Sequence, residues 1–344
     1  MSAYAFWNNK GGVGKSFLGF VAASEYAHLF PGSDVYVIDL CPQANLSETL
    51  LGGSVGGGKA LNSYLTKTPR ASIAGYLDAR LNSPFTAIAN VSDYVVCPNE
   101  KNKNVPKNLY LVPGDNLLEL LAEAIRQTSQ LSIPSSAWKQ VISWVKDLVG
   151  QLRELSGSRD SIFIIDCNPS FAIYTQLALI ASDYVVVPFT ADDSSRRGIE
   201  NVVALLYGIG DPSVTSYAKL SFSKRAREDG VTLPRLHTFV SNRVTMYEGL
   251  PSKAFKAISK TIKSTLDKIH RTHRSIFAAP SEIPSSSFID IPDYHSACIV
   301  SAYFGLPLHR LSAGPKDLAG ERVQLNQEPL TRYKTALGLF VNSL

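Results

Sequence analysis

Residues 9–16 of this 344-residue chain are the ones whose types and spacing can do chemistry. They read Asn-Lys-Gly-Gly-Val-Gly-Lys-Ser and lie between a short apolar strand, Ala3–Trp7, and an apolar-periodic helix, Phe17–Phe30. In such a loop the glycines let backbone N–H groups converge on phosphates, and the helix N-terminus adds its partial positive charge. We therefore expect Lys15 to reach the β- and γ-phosphates of a nucleotide and Ser16 to ligate Mg²⁺.

The loop departs from the usual phosphate-binding pattern at one position. The pattern G-x-x-x-x-G-K-[ST] requires glycine where Asn9 stands. The sequence fits the variant K-G-G-x-G-K-[ST], in which Lys10 precedes the glycines. A glycine-rich linker is the alternative interpretation, but the coincidence of strand, loop, Lys-Ser pair and helix favours a phosphate site.

Apolar runs and amphipathic stretches predict the elements that must position this loop. β-Branched runs predict strands, and most of them are separated by helical periodicity, as in a mostly parallel twisted sheet with helices on both faces. We expect a three-layer α/β P-loop NTPase fold, with ligands at the carboxyl ends of the strands. The predicted strands are Ala3–Trp7, Val35–Leu40, Asp93–Val96, Leu109–Val112, Ile162–Asp166, Tyr184–Pro188, His237–Ser241 and Phe288–Ile291. Further predicted helices are Asp115–Gln127, Ala137–Leu155, Gly198–Tyr207 and Ser252–Arg274.

Length and composition bound the remaining organisation. We expect one domain over residues 1–344, with an inserted or extended region at about 52–157 that opens with a mobile glycine-rich loop, Gly52–Gly58. No signal peptide or apolar membrane-spanning run is present, so a soluble cytosolic protein is expected. The four cysteines are scattered singly, which argues against a zinc site or disulfide framework and predicts buried, inert thiols.

Three further segments extend the pattern beyond the loop. Residues 35–45 read Val-Tyr-Val-Ile-Asp-Leu-Cys-Pro-Gln-Ala-Asn, residues 161–170 read Ser-Ile-Phe-Ile-Ile-Asp-Cys-Asn-Pro-Ser, and residues 108–114 form an asparagine-led strand ending in Pro-Gly. With the loop, they resemble the ParA/MinD family of deviant Walker A ATPases, which has Asp-x-Asp-Pro-Gln-x-Asn and Asp-x-Pro-Pro in the first two segments. Cys41 and Asn168 depart from these patterns, whereas Pro-Gln-x-Asn favours the ParA (Soj-like) branch.

The resemblance implies a division of roles at a site for ATP and Mg²⁺. Asp166 and Ser16 are implied to hold the Mg²⁺ shell, and Asp39 to lie near the γ-phosphate and the metal and orient the attacking water. In relatives the lysine corresponding to Lys10 crosses a face-to-face dimer and contacts the partner's phosphates, which makes hydrolysis depend on dimerisation. With Lys15, Lys10 and Asp39 form the implied catalytic set. A helix cap for Asp39 and a solvated loop lysine for Lys10 are the alternatives.

Base recognition is implied by two later segments. Asn242 resembles the strand-end asparagine that contacts adenine in this family, although asparagine is also a common turn residue there. A second wall is implied from backbone near Ile291 and Pro292. Asp192, which precedes a helix, reads as a helix cap, and a role near the nucleotide is the alternative. The implied nucleotide contacts are Lys10, Gly11, Gly12, Val13, Gly14, Lys15, Ser16, Phe17, Asn242, Ile291 and Pro292.

Positive charge is concentrated in a basic helical region at about 219–274. This region contains thirteen Lys and Arg residues and four acidic residues, so its local net charge is +9, whereas the net charge of the whole chain is +5. Lysines recur every three or four residues opposite an apolar stripe, so one helix presents a basic ridge. The alternative is that these residues only form a solvated surface, but the local excess of positive charge favours sequence-independent contact with DNA phosphates. The candidate DNA-binding residues are Lys253, Lys256, Lys260, Lys263, Lys268, Arg271 and Arg274.

The resemblance and the basic region together predict a ParA-type partitioning ATPase. We expect an ATP-dependent homodimer, non-specific duplex DNA and a ParB-like or cargo adaptor as partners, and a cytoplasmic, nucleoid-associated location. A MinD-like membrane switch requires a basic amphipathic C-terminal helix, whereas residues 330–344 carry two cations and read as a helix packed on the core. A metabolic P-loop enzyme is the other alternative, and it gives no reason for the basic region.

Overall fold

Seven parallel strands form the central sheet of the computed structural model, which describes residues 2–190, 192–210, 222–247 and 250–344. Their spatial order is β3-β2-β4-β1-β5-β6-β9, with bounds β1 Ala3–Phe6, β2 Asp34–Leu40, β3 Leu109–Val112, β4 Ser161–Cys167, β5 Tyr184–Thr190, β6 Arg235–Val244 and β9 Phe288–Pro292. Two antiparallel strand pairs lie outside this sheet: β7 Met246–Tyr247 with β8 Leu250–Pro251, and β10 Gly314–Leu318 with β11 Glu321–Leu325.

Helices cover both faces of the sheet. On one face lie α1 Lys15–Leu29, α2 Asn45–Leu50, α3 Gly53–Leu65, α12 His295–Phe304 and α13 Gln327–Asn342. On the other lie α4 Ile73–Asn82, α5 Leu117–Thr128, α6 Ala137–Ile142, α7 Trp144–Leu155, α8 Ile173–Ala181, α9 Asp193–Tyr207, α10 Phe222–Glu228 and α11 Lys253–Thr272. The predicted three-layer α/β fold is confirmed.

Successive side chains along each central strand point to opposite faces of the sheet and pack in two separate apolar layers. In β4, Ile162 and Ile164 pack with the α1 layer, whereas Phe163 and Ile165 pack with the α8 layer. This is the two-residue period of a strand buried on both faces. It explains why the central strands read as continuous apolar runs.

The predicted strand at Asp93–Val96 is wrong. Residues Val91–Tyr94 form a 3-10 helix, and Val96 makes an isolated antiparallel bridge to Leu111 of β3. The predicted helix Ala137–Leu155 is two helices, α6 and α7, separated at Ser143. The run at 93–96 is apolar because Tyr94 is buried against Tyr76 of α4 and Val96 lies beside β3, not because these residues extend the sheet.

The glycine-rich tract Gly52–Gly58 is not a loop, which corrects the prediction: Gly52 is the N-cap of α3 and the other residues form the start of the helix. A side chain at Gly57 would meet the Glu48 carbonyl oxygen at 2.0 Å, and one at Gly53 would meet the Ala302 carbonyl oxygen at 2.2 Å. These two glycines therefore allow close helix packing. Flexibility does not explain them.

The C-terminal helix α13 packs on the core, as predicted, through buried Leu330, Tyr333, Leu337, Phe340 and Val341. Among the described residues, no helix has both the length and the apolar character that a bilayer crossing demands. The thiols were predicted to be buried. Those of Cys41 and Cys167 are, but Cys97 and Cys298 are half-buried.

A buried ion pair fixes the loop that follows β3. Asp115 is fully buried and accepts two hydrogen bonds from the Arg70 guanidinium and one from the Ser72 hydroxyl at 2.6 Å. Burial raises the pKa of Asp115, but the bonds from Arg70, Ser72 and the Leu117 N–H outweigh that effect and hold its pKa below the ordinary value. The pair ties α4 to the carboxyl end of β3.

We predict that Asp115→Asn lowers the free energy of unfolding by about 2 kcal/mol at pH 7, because charge-assisted bonds to a buried group are lost. A depressed pKa contributes stability above about pH 4, and that contribution is lost as the pH falls further. The difference in the free energy of unfolding between wild type and Asp115→Asn, measured by urea titration, therefore becomes smaller below about pH 4. Glu123→Gln, at the exposed pair with Arg126, is the control and has no measurable effect. An equal gap at pH 7 and pH 3 contradicts the assignment.

Candidate nucleotide site

The phosphate loop connects the end of β1 to the start of α1. Gly12 and Gly14 have φ of 74° and 90°, so both adopt the left-handed conformation that favours glycine. A side chain at Gly14 would also meet the Asn242 Nδ2 atom at 2.2 Å. Gly11 and Gly12 are exposed and Val13 is buried, so the loop presents its backbone to solvent at the carboxyl edge of the sheet.

Lys15 is folded into the loop. Its side chain is buried, and its Nζ donates to the carbonyl oxygens of Asn8 at 3.3 Å and Lys10 at 3.0 Å. Burial lowers the pKa of Lys15, while the charge of Asp166 opposes that shift. An ammonium group held among loop carbonyls is suited to an anion bound in the loop.

Two carboxylates meet beside the loop. Asp39 of β2 and Asp166 of β4 are register partners, and both are fully buried. Burial raises the pKa of both carboxyl groups, and the negative charge of Asp39 raises the pKa of Asp166 further. The pair therefore favours a bound cation.

The oxygens of the two carboxylates are used differently. Asp39 accepts hydrogen bonds from the Cys41 N–H at 3.1 Å, the Ser47 N–H at 3.0 Å and the Ser47 hydroxyl at 2.7 Å. Asp166 accepts one from the Ser16 hydroxyl at 2.6 Å through Oδ2, whereas its Oδ1 is buried without a hydrogen-bond partner among the described residues.

A magnesium ion fits this donor set. Hydroxyl and carboxylate oxygens are the hard ligands that Mg²⁺ prefers, and the unpaired Oδ1 of Asp166 lacks a partner that a metal-bound water would supply. Asp39 contacts its own chain through both oxygens, so its metal and water-orienting roles stay predictions.

Lys10 contacts its own chain. Its Nζ forms an ion pair with Asp192 and lies 3.3 Å from the Thr190 hydroxyl and 3.4 Å from the Ser195 hydroxyl. Asp192 also caps α9 through the Ser194 N–H at 3.0 Å, as predicted. Burial raises the pKa of Asp192, but the bonds from Lys10, Ser194 and Thr190 outweigh it and leave the pKa well below the ordinary value.

Sequence reasoning missed Asn8 and the pairing of Asp192 with Lys10, both of which hold the loop. Asn8 is fully buried, donates to the Pro188 carbonyl at 2.8 Å and accepts from the Lys10 N–H at 3.1 Å. A polar residue directly after a buried strand was the available signal. The role of Asp192 as the partner of Lys10 had no local signal, because 182 positions separate them.

The implied base-binding residues lie together only in part. Phe17, Asn242 and Pro292 line a cavity of about 20 Å³, large enough for about one water. Asn242 donates to the Val13 carbonyl at 3.0 Å, which brings it against the phosphate loop. Ile291 is fully buried in the core, so neither its side chain nor its backbone is exposed to a ligand, and the implied backbone contact there is not seen. A purine requires this cavity to open.

Comparison with known proteins agrees with the loop and the sheet. Residues 1–213 match the family model AAA_31, an AAA domain. The chain belongs to the ParA/MinD family of P-loop ATPases. The ParA family protein pGP5-D of the Chlamydia muridarum virulence plasmid is 24% identical over 212 residues, which cover 62% of this chain and 64% of that protein.

Solved structures share the fold at low identity. Apo McdA from Cyanothece superposes with a TM-score of 0.56 and 15% identity, over 98% of this chain and 100% of McdA. A Borrelia burgdorferi B31 protein assigned to plasmid partition and bound to AMPPNP gives a TM-score of 0.52 and 18% identity, over 100% of this chain and 99% of that one.

Two departures from the family pattern are accommodated locally. The thiol of Cys41, where the family has a second acid, donates to the Gln43 side-chain oxygen at 3.0 Å, and burial raises the pKa of Cys41 to about 12. A neutral thiol therefore adds no charge beside the two carboxylates. Asn168 donates to the Tyr174 hydroxyl at 2.9 Å.

The candidate DNA-binding residues lie mainly on α11. This helix is capped by Ser252 and buries Phe255, Ile262 and Leu266 against the α9 face. Its six Lys and Arg are mostly exposed, and within the described residues none of them forms an ion pair. Lys256, Lys260, Lys263, Lys268 and Arg271 line a groove of about 760 Å³ that also contains Asp267 and Asp290. Arg274 lies in the following 3-10 turn, and Lys219 lies outside the described residues.

We predict that Mg²⁺ tightens ATP binding in wild type but not in Asp166→Asn, because the variant loses the anionic metal ligand. Isothermal titration with and without Mg²⁺ measures the difference, which we expect to fall from about tenfold to less than about twofold. Asp160→Asn, an equal charge change at the other end of β4, is the control and retains the full Mg²⁺ effect. An undiminished Mg²⁺ effect in Asp166→Asn contradicts the assignment.

Proposed function

We propose that this chain is a ParA-type partitioning ATPase. ATP and Mg²⁺ close two copies into a sandwich dimer, the dimer binds duplex DNA without sequence preference, and an adaptor on the cargo stimulates hydrolysis and release. The observation that carries the proposal is the phosphate loop with two lysines, one folded inside it and one at its mouth. The ATP complex of a McdA variant and the AMPPNP complex from Borrelia support the choice of nucleotide.

The two lysines have different roles in this proposal. Lys15 binds the β- and γ-phosphates of its own nucleotide from within the loop. Lys10 leaves Asp192 when the dimer closes, and its ammonium group reaches the phosphates bound by the partner. A cation placed where negative charge develops stabilises the transition state. The ion pair with Asp192 keeps Lys10 ordered until then.

Asp39 orients the attacking water in the proposed reaction. Its carboxylate is held by Ser47 at the start of α2, and the Ser47 hydroxyl also accepts from the Gly114 N–H at 2.8 Å. The position of α2 therefore determines the direction of the Asp39 carboxylate. Mg²⁺ would neutralise phosphate charge beside Ser16 and Asp166. In this proposal Asp39 acts on the attacking water and Asp166 on the metal ion.

The exposed cations of α11 support DNA as the surface partner. Lysine contacts to phosphates give salt-sensitive, sequence-independent affinity, and a dimer that presents two such helices gains avidity. This partner implies the cytoplasmic, nucleoid-associated location. The cations of α10 contribute less, because Lys224 pairs with Glu228 and Arg225 with Asp229, each four residues further along the chain.

A MinD-like membrane switch has weaker support. The two cations of α13 are engaged, Arg332 with Glu328 and Lys334 with the Leu311 carbonyl. The helix buries its apolar side in the core, which leaves no basic amphipathic face for lipid. A metabolic ATP-dependent enzyme gives no role to the exposed cations of α11.

Two single substitutions distinguish the roles of the loop lysines. We predict that Lys15→Ala weakens ATP binding by about 100-fold or more, because the cation inside the loop is lost. Lys10→Ala retains affinity within about threefold but loses most of its ATP hydrolysis. Fluorescent-nucleotide titration and phosphate release measure the two effects. Wild-type hydrolysis in Lys10→Ala contradicts the proposed role in trans.

The DNA-binding role of α11 is tested by charge reversal. We predict that Lys256→Glu/Lys260→Glu/Lys263→Glu abolishes retention of an unrelated duplex and leaves basal ATP hydrolysis within about twofold. Filter binding against salt concentration measures retention. The matched control is Lys59→Glu/Lys101→Glu/Lys103→Glu, an equal charge change on the other face of the sheet. Unchanged retention and salt slope in the α11 variant contradict the proposal.

A further inference from the structure

A second groove, of about 760 Å³, lies on the α1 face of the sheet. One wall is a stripe of α3 that includes Val55, Gly56 and Lys59, and the others are residues 101–104 and the end of α12 with Leu306. The groove is remote from α11, which lies on the opposite face. Neither the nucleotide chemistry nor the DNA contacts use it.

One glycine of α3, Gly56, indicates close approach by a molecule outside the chain. Gly53 and Gly57 are required by the backbones of α12 and α2, as described above. Gly56 differs, because a side chain there would meet nothing within 4 Å. Glycine destabilises a helix interior relative to alanine, and packing within this chain does not explain it at position 56. A bare backbone facing an open groove admits a partner helix at short distance.

The charge and polarity of the groove specify the partner. Its described lining residues include Lys59, Lys101 and Lys103, all exposed, and no carboxylate. The same lining contains apolar side chains, among which Val55 is 65% exposed and Leu306 is half-buried, and we call these two residues the apolar strip. A surface that offers both cations and exposed apolar side chains is complementary to a helix with one acidic and one apolar face.

The groove adjoins the element that holds Asp39. α3 packs against the Glu48 carbonyl of α2 at Gly57, and the neighbouring Ser47 bonds to Asp39. A ligand that binds α3 therefore contacts the helix that packs against α2, the element that holds the Asp39 carboxylate.

We propose that this groove binds an acidic amphipathic α-helix of a partner protein, with closest approach at Gly56. The binding goes beyond the proposed ATPase and requires neither nucleotide nor DNA. Nucleic acid is the rival occupant for three lysines, but the apolar strip and the bare glycine favour a helix. The failure of this inference is therefore distinct from the failure of the partitioning proposal.

The test is fluorescence anisotropy with the full chain and a labelled peptide of about 18 residues, with Leu at the spacing of one helix face and Glu elsewhere. We expect saturable binding, absent for a scrambled peptide of equal composition. Gly56→Leu fills the groove and weakens binding by about tenfold or more, as does Lys59→Glu/Lys101→Glu/Lys103→Glu. Gly58→Leu, an exposed position of α3 outside the groove lining, is the matched control and leaves binding unchanged.

Thermal melts check folding. Gly56→Leu matches or exceeds wild type, because leucine is the better helix former and a side chain there meets nothing within 4 Å. Gly58→Leu stays folded once the Glu48 side chain, whose Oε1 atom lies 3.3 Å from the added Cβ, moves aside. Three results would overturn the proposal: no saturable binding up to about 1 mM peptide, equal binding by wild type and Gly56→Leu, or equal binding of the scrambled peptide. A loss of duplex DNA retention in the Lys59/Lys101/Lys103 variant as large as in the α11 variant would also overturn it and assign the groove to nucleic acid.

Discussion

Two buried carboxylates at one edge of the sheet constrain everything around the phosphate loop. Asp39 and Asp166 are register partners with no exposed surface, so their charges are stable only beside cations and hydrogen-bond donors. The chain supplies Ser16 to Asp166 and Ser47 to Asp39, and Lys15 lies between the loop carbonyls nearby. This arrangement makes a metal-bound polyphosphate a physically reasonable ligand, and it ties α2 to the same charges.

The three proposed binding surfaces differ in chemistry and also lie on different sides of the sheet. The nucleotide edge is formed by the carboxyl ends of β1, β2 and β4, the cationic ridge of α11 lies over one face, and the α3 groove lies over the other. A phosphate ligand, a polyanion and a protein partner can therefore bind without competing for the same side chains. In the account proposed here, ATP controls the number of copies held together, and the number of copies controls the avidity for DNA.

Features that depend on local pattern were predictable from the sequence. The loop, the strand carboxylates and the basic helix are marked by residue spacing over fewer than about 25 residues, and the parallel sheet follows from alternating runs. Contacts between distant segments were not predictable. The pairing of Lys10 with Asp192, the bracing of the loop by Asn8, and the Arg70–Asp115 pair each join segments that only the fold brings together. The glycine tract was misread because glycine allows both flexibility and close packing, and only the neighbours Glu48 and Ala302 distinguish them.

The central claim is that a bound triphosphate joins two copies of this chain, each lending Lys10 to the other. The most direct test is the molar mass of the protein, measured by light scattering as it elutes from a size-exclusion column with Mg²⁺ and a non-hydrolysable ATP analogue. The account predicts a mass of twice the 37.4 kDa monomer with the analogue, and the monomer mass with ADP. A monomer mass at saturating analogue would contradict it.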